Sequence, residues 1–273
     1  MLTRWSSVIV TTVMLLGCNQ NQQMEQEQRP SGPHPYSNYM YQYSVIDALL
    51  AGVYDGDLST AELQKKGDFG IGTFNRVDGE LIMDGGRIYQ ARSDGTIQEV
   101  SEAQQLPFAQ AVYFQADTSF FISTEDLEYS GLQEHLLSEF SENQVLAARL
   151  TGHFKTVYYR APQAAEKPYI PLAEYLEKHQ AEFNIENTTG KAIGFYLPRY
   201  LDRVNVPGFH FHYLSDDKQT GGHILGFTSE SLQVEIDQIP GIIVEPMASE
   251  AFHKADLQKN REEEVKQVEQ GYN

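Results

Sequence analysis

The sequence predicts an α+β protein in two parts, predominantly β, with mixed or antiparallel sheets or a partial barrel, a few helices and a helix at the C-terminus. Three observations carry that reading. Short runs rich in β-branched and aromatic residues are separated by turn signals, Asp84-Gly85-Gly86 and Asp94-Gly95 among them. Leu232, Val234 and Ile236 alternate with Gln233, Glu235 and Asp237, the period of a half-buried strand. Helical spacing of apolar residues is confined to a few stretches, the last in Ala255 to Gln270.

The first 38 residues stand outside that fold. Arg4 precedes a mostly apolar run, Ser7 to Leu16, shorter than the roughly 20 residues a spanning helix needs and of the size of a signal-peptide core. Leu15-Leu16-Gly17-Cys18 resembles the lipobox of bacterial lipoproteins, whose cysteine is lipidated and becomes the first residue. Cys18 is the only cysteine. It has no partner for an intramolecular disulfide, and its place at the cleavage point favours lipidation over an uncleaved anchor or an ordinary signal peptide. Residues 1–17 are therefore expected to be a signal peptide. Residues 18–38 are expected to be a Gln-rich tether with too little apolar surface to offset its ordering entropy. The expected location is the cell envelope, with the lipid as the only membrane contact.

The remainder is expected to divide into residues 39–160 and 161–273, because Ala161 to Pro171 holds three prolines and reads as a linker. In the first part, Tyr41 to Tyr54 has helical spacing. Ser59-Thr60-Ala61-Glu62 is a capping box opening a second short helix, with Gly67 as a stop. Strands are expected over Gly79 to Met83, Arg87 to Ala91, Thr96 to Val100, Ala109 to Ala116 and Ser119 to Ile122, with a helix within Glu125 to Phe140. Gln144 to Leu150 and His153 to Tyr159 read as two strands joined at Thr151-Gly152. In the second part, Leu172 to Phe183 reads as a helix. Strands are expected over Ala192 to Leu197, Gly208 to Leu214, His223 to Thr228 and Leu232 to Ile236.

The formal charge is −18, from 38 acidic and 20 basic residues, and no Lys/Arg-rich run is present. That balance argues against nucleic acid as a partner, since its binding rests on phosphate neutralisation. The charge reads instead as solubility and self-repulsion.

The chemistry concentrates in Gly208-Phe209-His210-Phe211-His212-Tyr213 and Gly221-Gly222-His223. In a strand, residues i and i+2 share a face, so His210 and His212 project together while Phe209 and Phe211 turn to the core. A hairpin through Ser215 to Gly222 brings His223 back on the neighbouring strand. Three imidazoles from adjacent strands suit a zinc ion with an open fourth position, as in catalytic sites, although imidazole accepts other divalent metals. His34, His135, His153, His179 and His253 lack such company and read as surface or core residues. A cupin would place a glutamate after the His-x-His pair and a glycine six residues before it. Here Asp216 and Asp217 follow and Val204 precedes, so the match is poor. Gly67-Asp68-Phe69-Gly70-Ile71-Gly72 lacks the dinucleotide spacing and its βαβ context.

Gly67-Asp68-Phe69-Gly70-Ile71-Gly72-Thr73-Phe74-Asn75, Asp78-Gly79-Glu80-Leu81 and the histidine segments together resemble α-acetolactate decarboxylase, over nearly all of the chain from Tyr41 on. That resemblance implies decarboxylation of 2-acetolactate to acetoin on zinc without an organic cofactor, by a homodimer. It matches His210, His212 and His223 to the zinc ligands, Glu80 and Arg160 to catalytic residues, and Thr73 to a threonine near the substrate. A second catalytic glutamate corresponds to Glu269, with Glu262, Glu263 and Glu264 as neighbours one or two turns away. The lipobox is not part of the family pattern. The rival from another class is a non-catalytic zinc-binding envelope lipoprotein, which would have no use for Glu80 and Arg160 in the same pocket.

Overall fold

The computed structural model describes residues 38–100 and 103–270. The signal segment, Cys18 and the tether through residue 37 lie outside the described residues. Among the described residues, no helix is long and apolar enough to cross a membrane.

The chain opens with β1 (Met40–Tyr43), α1 (Ile46–Leu50), β2 (Leu58–Ser59), α2 (Thr60–Gln64) and β3 (Phe69–Thr73). A meander follows, β4 (Glu80–Asp84), β5 (Arg87–Ala91) and β6 (Ile97–Glu99), then β7 (Gln105–Leu106) and β8 (Phe108–Val112). Next come β9 (Thr118–Glu128), α3 (Tyr129–Glu139), β10 (Val145–Pro162), α4 (Leu172–Leu176) and β11 (Gln180–Leu197). The last elements are β12 (Gly208–Ser215), β13 (Gly221–Ile239), β14 (Ile242–Glu245), α5 (Glu250–Lys254) and α6 (Glu262–Gln270).

Two sheets result. The first has seven strands in the order β14-β1-β8-β3-β4-β5-β6, antiparallel except where β14 runs parallel to β1. The second is antiparallel in the order β10-β11-β12-β13-β9, and β10 also pairs with β13, so β10 to β13 form a closed ring of pairings. This is the predominantly β, mixed-sheet α+β fold expected. Alternation along the strands assigns side chains to separate cores, two of which involve the second sheet. Phe154, Phe211, Tyr213, Phe227 and Val234 fill one face of the second sheet with α3 against it. Ile71, Ile82, Ala147, Ile193, Phe195 and Leu214 pack between the sheets. Each fully buried side chain of this size contributes about 1.5–3 kcal/mol.

The structure departs from the sequence expectations where distant pairing overrides local spacing. Residues 40–43 extend rather than coil, because they pair with both β8 and β14. Ser44, at φ 62°, then turns the chain into a single helical turn. The expected turn at Thr151-Gly152 is absent, and β10 runs unbroken for 18 residues. Gly152 serves a close approach there, since a Cβ would meet the Ser231 carbonyl oxygen at 2.2 Å. The helix expected to reach Phe183 stops at Leu176; Phe183 instead pairs with Tyr159 and stacks on it at 5.1 Å. His223 to Thr228 and Leu232 to Ile236 belong to one strand; of the helix expected over Ala255 to Gln270 only α6, from Glu262, is helical, and the short α5 ends just before that stretch, at Lys254.

The expected division after Arg160 falls inside β10. The described residues, from 38 on, form one compact unit, and β14 from the C-terminal half completes the first sheet. Proline at 162 is accommodated at the strand's end, where an N–H is dispensable. The N-cap half of the capping box forms, with the Ser59 hydroxyl accepting from the Glu62 N–H at 3.2 Å, while the Glu62 carboxylate turns to Lys65.

Candidate metal centre and active site

The histidines come together through strand register. His212 lies directly opposite His223 in the β12–β13 pairing, and His210 shares the His212 face two residues back. On the far side of β13, Arg160 of β10 is the cross-strand partner of His223. From the first sheet, Thr73 and Glu80 face each other across the β3–β4 pair. Glu269 enters from α6. One cavity is lined by all seven of these side chains. Sequence reasoning named each, and the structure brings them together.

Ring-nitrogen geometry shows what the histidines can hold. His212 donates from Nδ1 to the Leu81 carbonyl at 2.8 Å, and His223 donates from Nε2 to the Glu269 carbonyl at 3.3 Å. Those bonds set the tautomers and leave His212 Nε2 and His223 Nδ1 as lone-pair acceptors. Both face His210 Nε2, at 3.2 Å and 2.9 Å. A single proton on His210 satisfies at most one of them, so neutral imidazoles alone leave the cluster frustrated. A cation at the convergence point satisfies all three. The donor set fits a metal of the zinc type, with backbone carbonyls orienting two ligands from behind.

Burial supports the same arrangement. His210, His212 and His223 are at most 9% exposed. Burial, with the Arg160 charge beside it, lowers His210 to about 3. Burial first, and neighbouring positive groups with it, holds His212 and His223 well below the ordinary range. All three are therefore neutral at physiological pH, as metal ligands must be.

The carboxyl groups shift the other way. Burial raises Glu80 to about 7; Arg160 opposes this and Glu269 adds to it. Burial likewise raises Glu269 to about 7, against Arg160. Arg160 donates from Nη1 to Glu80 Oε1 at 3.3 Å and from Nη2 to the Val268 carbonyl at 3.0 Å, while its buried Nε has no protein partner. Glu80 Oε2 lies 3.6 Å from His212 Nε2. Glu269 Oε2 lies 3.7 Å from both His210 Nδ1 and His223 Nε2. The other candidate glutamates are engaged elsewhere: Glu262 with Arg199, Glu263 with Lys266, and Glu264 with Arg261 and Lys259. Thr73 turns its hydroxyl to the Gly79 carbonyl at 2.7 Å, tying together the two ends of the β3–β4 connection.

A family model described as alpha-acetolactate decarboxylase matches residues 40–259. The chain belongs to the alpha-acetolactate decarboxylase family. It is 37% identical over 254 residues to the alpha-acetolactate decarboxylase of Methanosarcina mazei, covering 93% of this chain and 88% of that protein. It is 36% identical over 249 residues to that of Brevibacillus brevis, covering 90% and 86%. The crystal structure of alpha-acetolactate decarboxylase from Bacillus subtilis strain 168 superposes with a TM-score of 0.83 at 34% identity, covering 86% of this chain and all of that one. Glu269 lies beyond the stretch matched by the family model, on α6, and its position in the cavity is a finding of the structure.

The other described histidines stand apart, as expected, and His34 lies outside the described residues. His179 stacks on Tyr175 at 4.6 Å, His153 lies 3.4 Å from Glu230, His135 meets the Phe120 ring edge-on and His253 is exposed. Sequence reasoning missed the cavity's apolar wall, formed by Ile46 and Leu49 of α1, Leu172 and Leu176 of α4, and Val268 of α6. Nothing in their residue types separates them from ordinary core. Only their convergence on the histidines does.

Proposed function

We propose that this lyase-family protein decarboxylates 2-acetolactate to acetoin at a zinc ion held by His210, His212 and His223. The observation that carries the reading is the convergence of three neutral imidazole nitrogens beside two carboxyl groups that titrate near neutrality. Bound zinc would supply Lewis acidity toward the substrate's hydroxyl and ketone oxygens, where charge grows as carbon dioxide leaves.

The chain's own groups account for the rest. Arg160 lines the cavity, its Nη1 and Nη2 held by Glu80 and Val268, and orients the substrate carboxylate there by its charge. When the bond to the carboxylate breaks, its electron pair moves toward the ketone oxygen and the C2 carbon must then gain a proton. Glu80 and Glu269, each pushed up to about 7, are poised to hold and return that proton near neutral pH. The apolar wall keeps bulk water from competing for it.

The test is acetoin formation from racemic acetolactate, before and after chelation and after zinc is restored. Zinc-dependent turnover well above the spontaneous reaction is expected. Stoichiometric zinc binding without acetoin would sink the catalytic reading. We propose with it that Cys18 carries a lipid anchor and that the protein is a homodimer. Cys18→Ala should leave the membrane fraction, and light scattering should return twice the chain mass.

A further inference from the structure

The connection between β3 and β4 is braced by many hydrogen bonds, and it holds a residue its backbone disfavours. Arg76 sits at φ 68°, ψ 15°, and Val77 follows at φ 49°. Consecutive left-handed residues are rare outside glycine, and a β-branched residue there is an outlier. Such strain persists only where surrounding contacts over-determine it.

Those contacts are present. The Asn75 side chain exchanges two hydrogen bonds with the Gly56 backbone, at 2.8 Å and 2.9 Å. Arg76 donates from its N–H to the Tyr54 carbonyl at 2.8 Å, accepts from the Ala165 N–H at 2.7 Å and donates from Nε to the Ala165 carbonyl at 2.9 Å. Gln90 donates to the Asp78 carbonyl at 2.6 Å, and Thr73 closes the arch on Gly79. Gly79 itself needs φ 80° and a backbone approach that excludes a Cβ, with the Ala91 carbonyl oxygen 2.3 Å from where one would sit.

The result of this bracing is a valine side chain at the cavity. Val77 is 1% exposed, packs with the apolar wall, and among the described residues lining the cavity is the one with a left-handed backbone outside glycine. The mechanism makes no use of it. In 2-acetolactate the carboxylate, hydroxyl and ketone oxygens find partners on the polar wall, so the two methyl groups are what remains for the apolar wall.

On the reading given under Proposed function, we infer that Val77 is a specificity-determining residue, a branched stop held in the cavity by the braced 74–79 arch, which limits the length of the alkyl group at C2 of the substrate. Glycine at this position would relax the backbone and lengthen the pocket; alanine would lengthen the pocket and keep the strain.

The experiment measures kcat/KM for acetolactate and for its homologue with ethyl in place of methyl at C2, in the wild type, Val77→Ala and Val77→Gly, together with their melting temperatures. The ethyl-to-methyl ratio is expected to rise about fivefold in Val77→Ala and about tenfold or more in Val77→Gly, the scale on which pockets discriminate one methylene. Val77→Gly is expected to melt at or above Val77→Ala, the reverse of their order at an ordinary φ. Ratios within about twofold of wild type in both variants overturn the assignment, that interval being small beside the discrimination expected for one methylene. A Val77→Gly protein that melts below Val77→Ala, or does not fold, overturns the strained-stop argument. A wild type that forms acetoin while the ratios stay unchanged refutes this inference alone; a wild type that forms none refutes the functional reading beneath it.

Discussion

Strand β4 carries a carboxyl group at each end, Glu80 and Asp84, and each meets an arginine of β10. Glu80 accepts from Arg160 at 3.3 Å, and Asp84 from Arg149 at 3.2 Å. Both lie on the face turned to the second sheet, and burial pushes both upward. Their outcomes are opposite. Glu80 rises to about 7, whereas Asp84 is held below its ordinary value because Lys191, bonded to it at 2.5 Å, and Arg149 together outweigh burial. At the Glu80 end one arginine is divided between a carboxylate and the Val268 carbonyl, and a second carboxyl group, Glu269, shares the pocket. At the Asp84 end two cations converge and Arg149 is further fixed by both oxygens of Glu235, at 2.8 Å and 3.1 Å. One end leaves its carboxyl undercompensated and able to change protonation state. The other saturates its carboxylate and ties the two sheets together. That distinction separates a site from a staple.

Mutation should break the two ends in different currencies. Glu80→Gln keeps the shape and removes the titration, so turnover should fall by about 10²–10⁴-fold, the range of a lost general acid or base. Its melting temperature should hold or rise, since a buried carboxylate is removed. Retained activity in that variant would move the proton-handling role elsewhere. Arg160→Ala should lower kcat/KM by about 10²–10³-fold. Arg160→Lys should restore little, because an ammonium cannot span Glu80, Val268 and a substrate carboxylate as a planar fork does; near-normal turnover in Arg160→Ala would exclude the carboxylate role. Asp84→Asn should leave kcat/KM unchanged and cost about 2 kcal/mol, less than the roughly 3–5 kcal/mol of a fully buried pair because Arg149 keeps part of its side chain in solvent, seen as a fall in melting temperature of about 4–8 °C.

The same contrast governs how much of the molecule can be read from sequence. His210 and His212 are legible because strand alternation is local, and His223 because Gly221-Gly222 marks the return of a hairpin. The Asp-Gly turns of the β4–β6 meander are legible for the same reason. What escapes depends on partners far along the chain. Leu172, Leu176 and Phe183 have helical spacing, yet Phe183 is claimed by Tyr159 across the β10–β11 pair. Thr151-Gly152 resembles a turn until Ser231 is seen lying against Gly152. Glu269 is separated from three glutamates of similar local character only by the cavity it enters. Asp84 and Glu80 differ by one methylene in sequence, and nothing local predicts that two cations meet one and a second acid the other.

The smallest expected effect sharpens the comparison through pH. Asp84 has a folded-state pKa below its unfolded value of 3.8. Its ion pairs therefore contribute stability that is fully present above the unfolded pKa and is lost as pH falls through the lower, folded one. In that window the unfolded chain binds the proton more readily, so stability rises with pH. The gap in unfolding free energy between wild type and Asp84→Asn should thus be constant from neutrality to about pH 5 and narrow below about pH 4, as the unfolded aspartate begins to take up its proton. Denaturant melts at half-unit pH steps in high and low salt would read it. Because Asp84 and Arg149 are mostly buried, salt should change the gap far less than it changes exposed pairs such as Lys65–Glu62. A gap that keeps its size down to about pH 2, well below the ordinary aspartate pKa, would mean that Asp84 contributes by shape rather than charge, and that the two ends of β4 differ less than their surroundings imply.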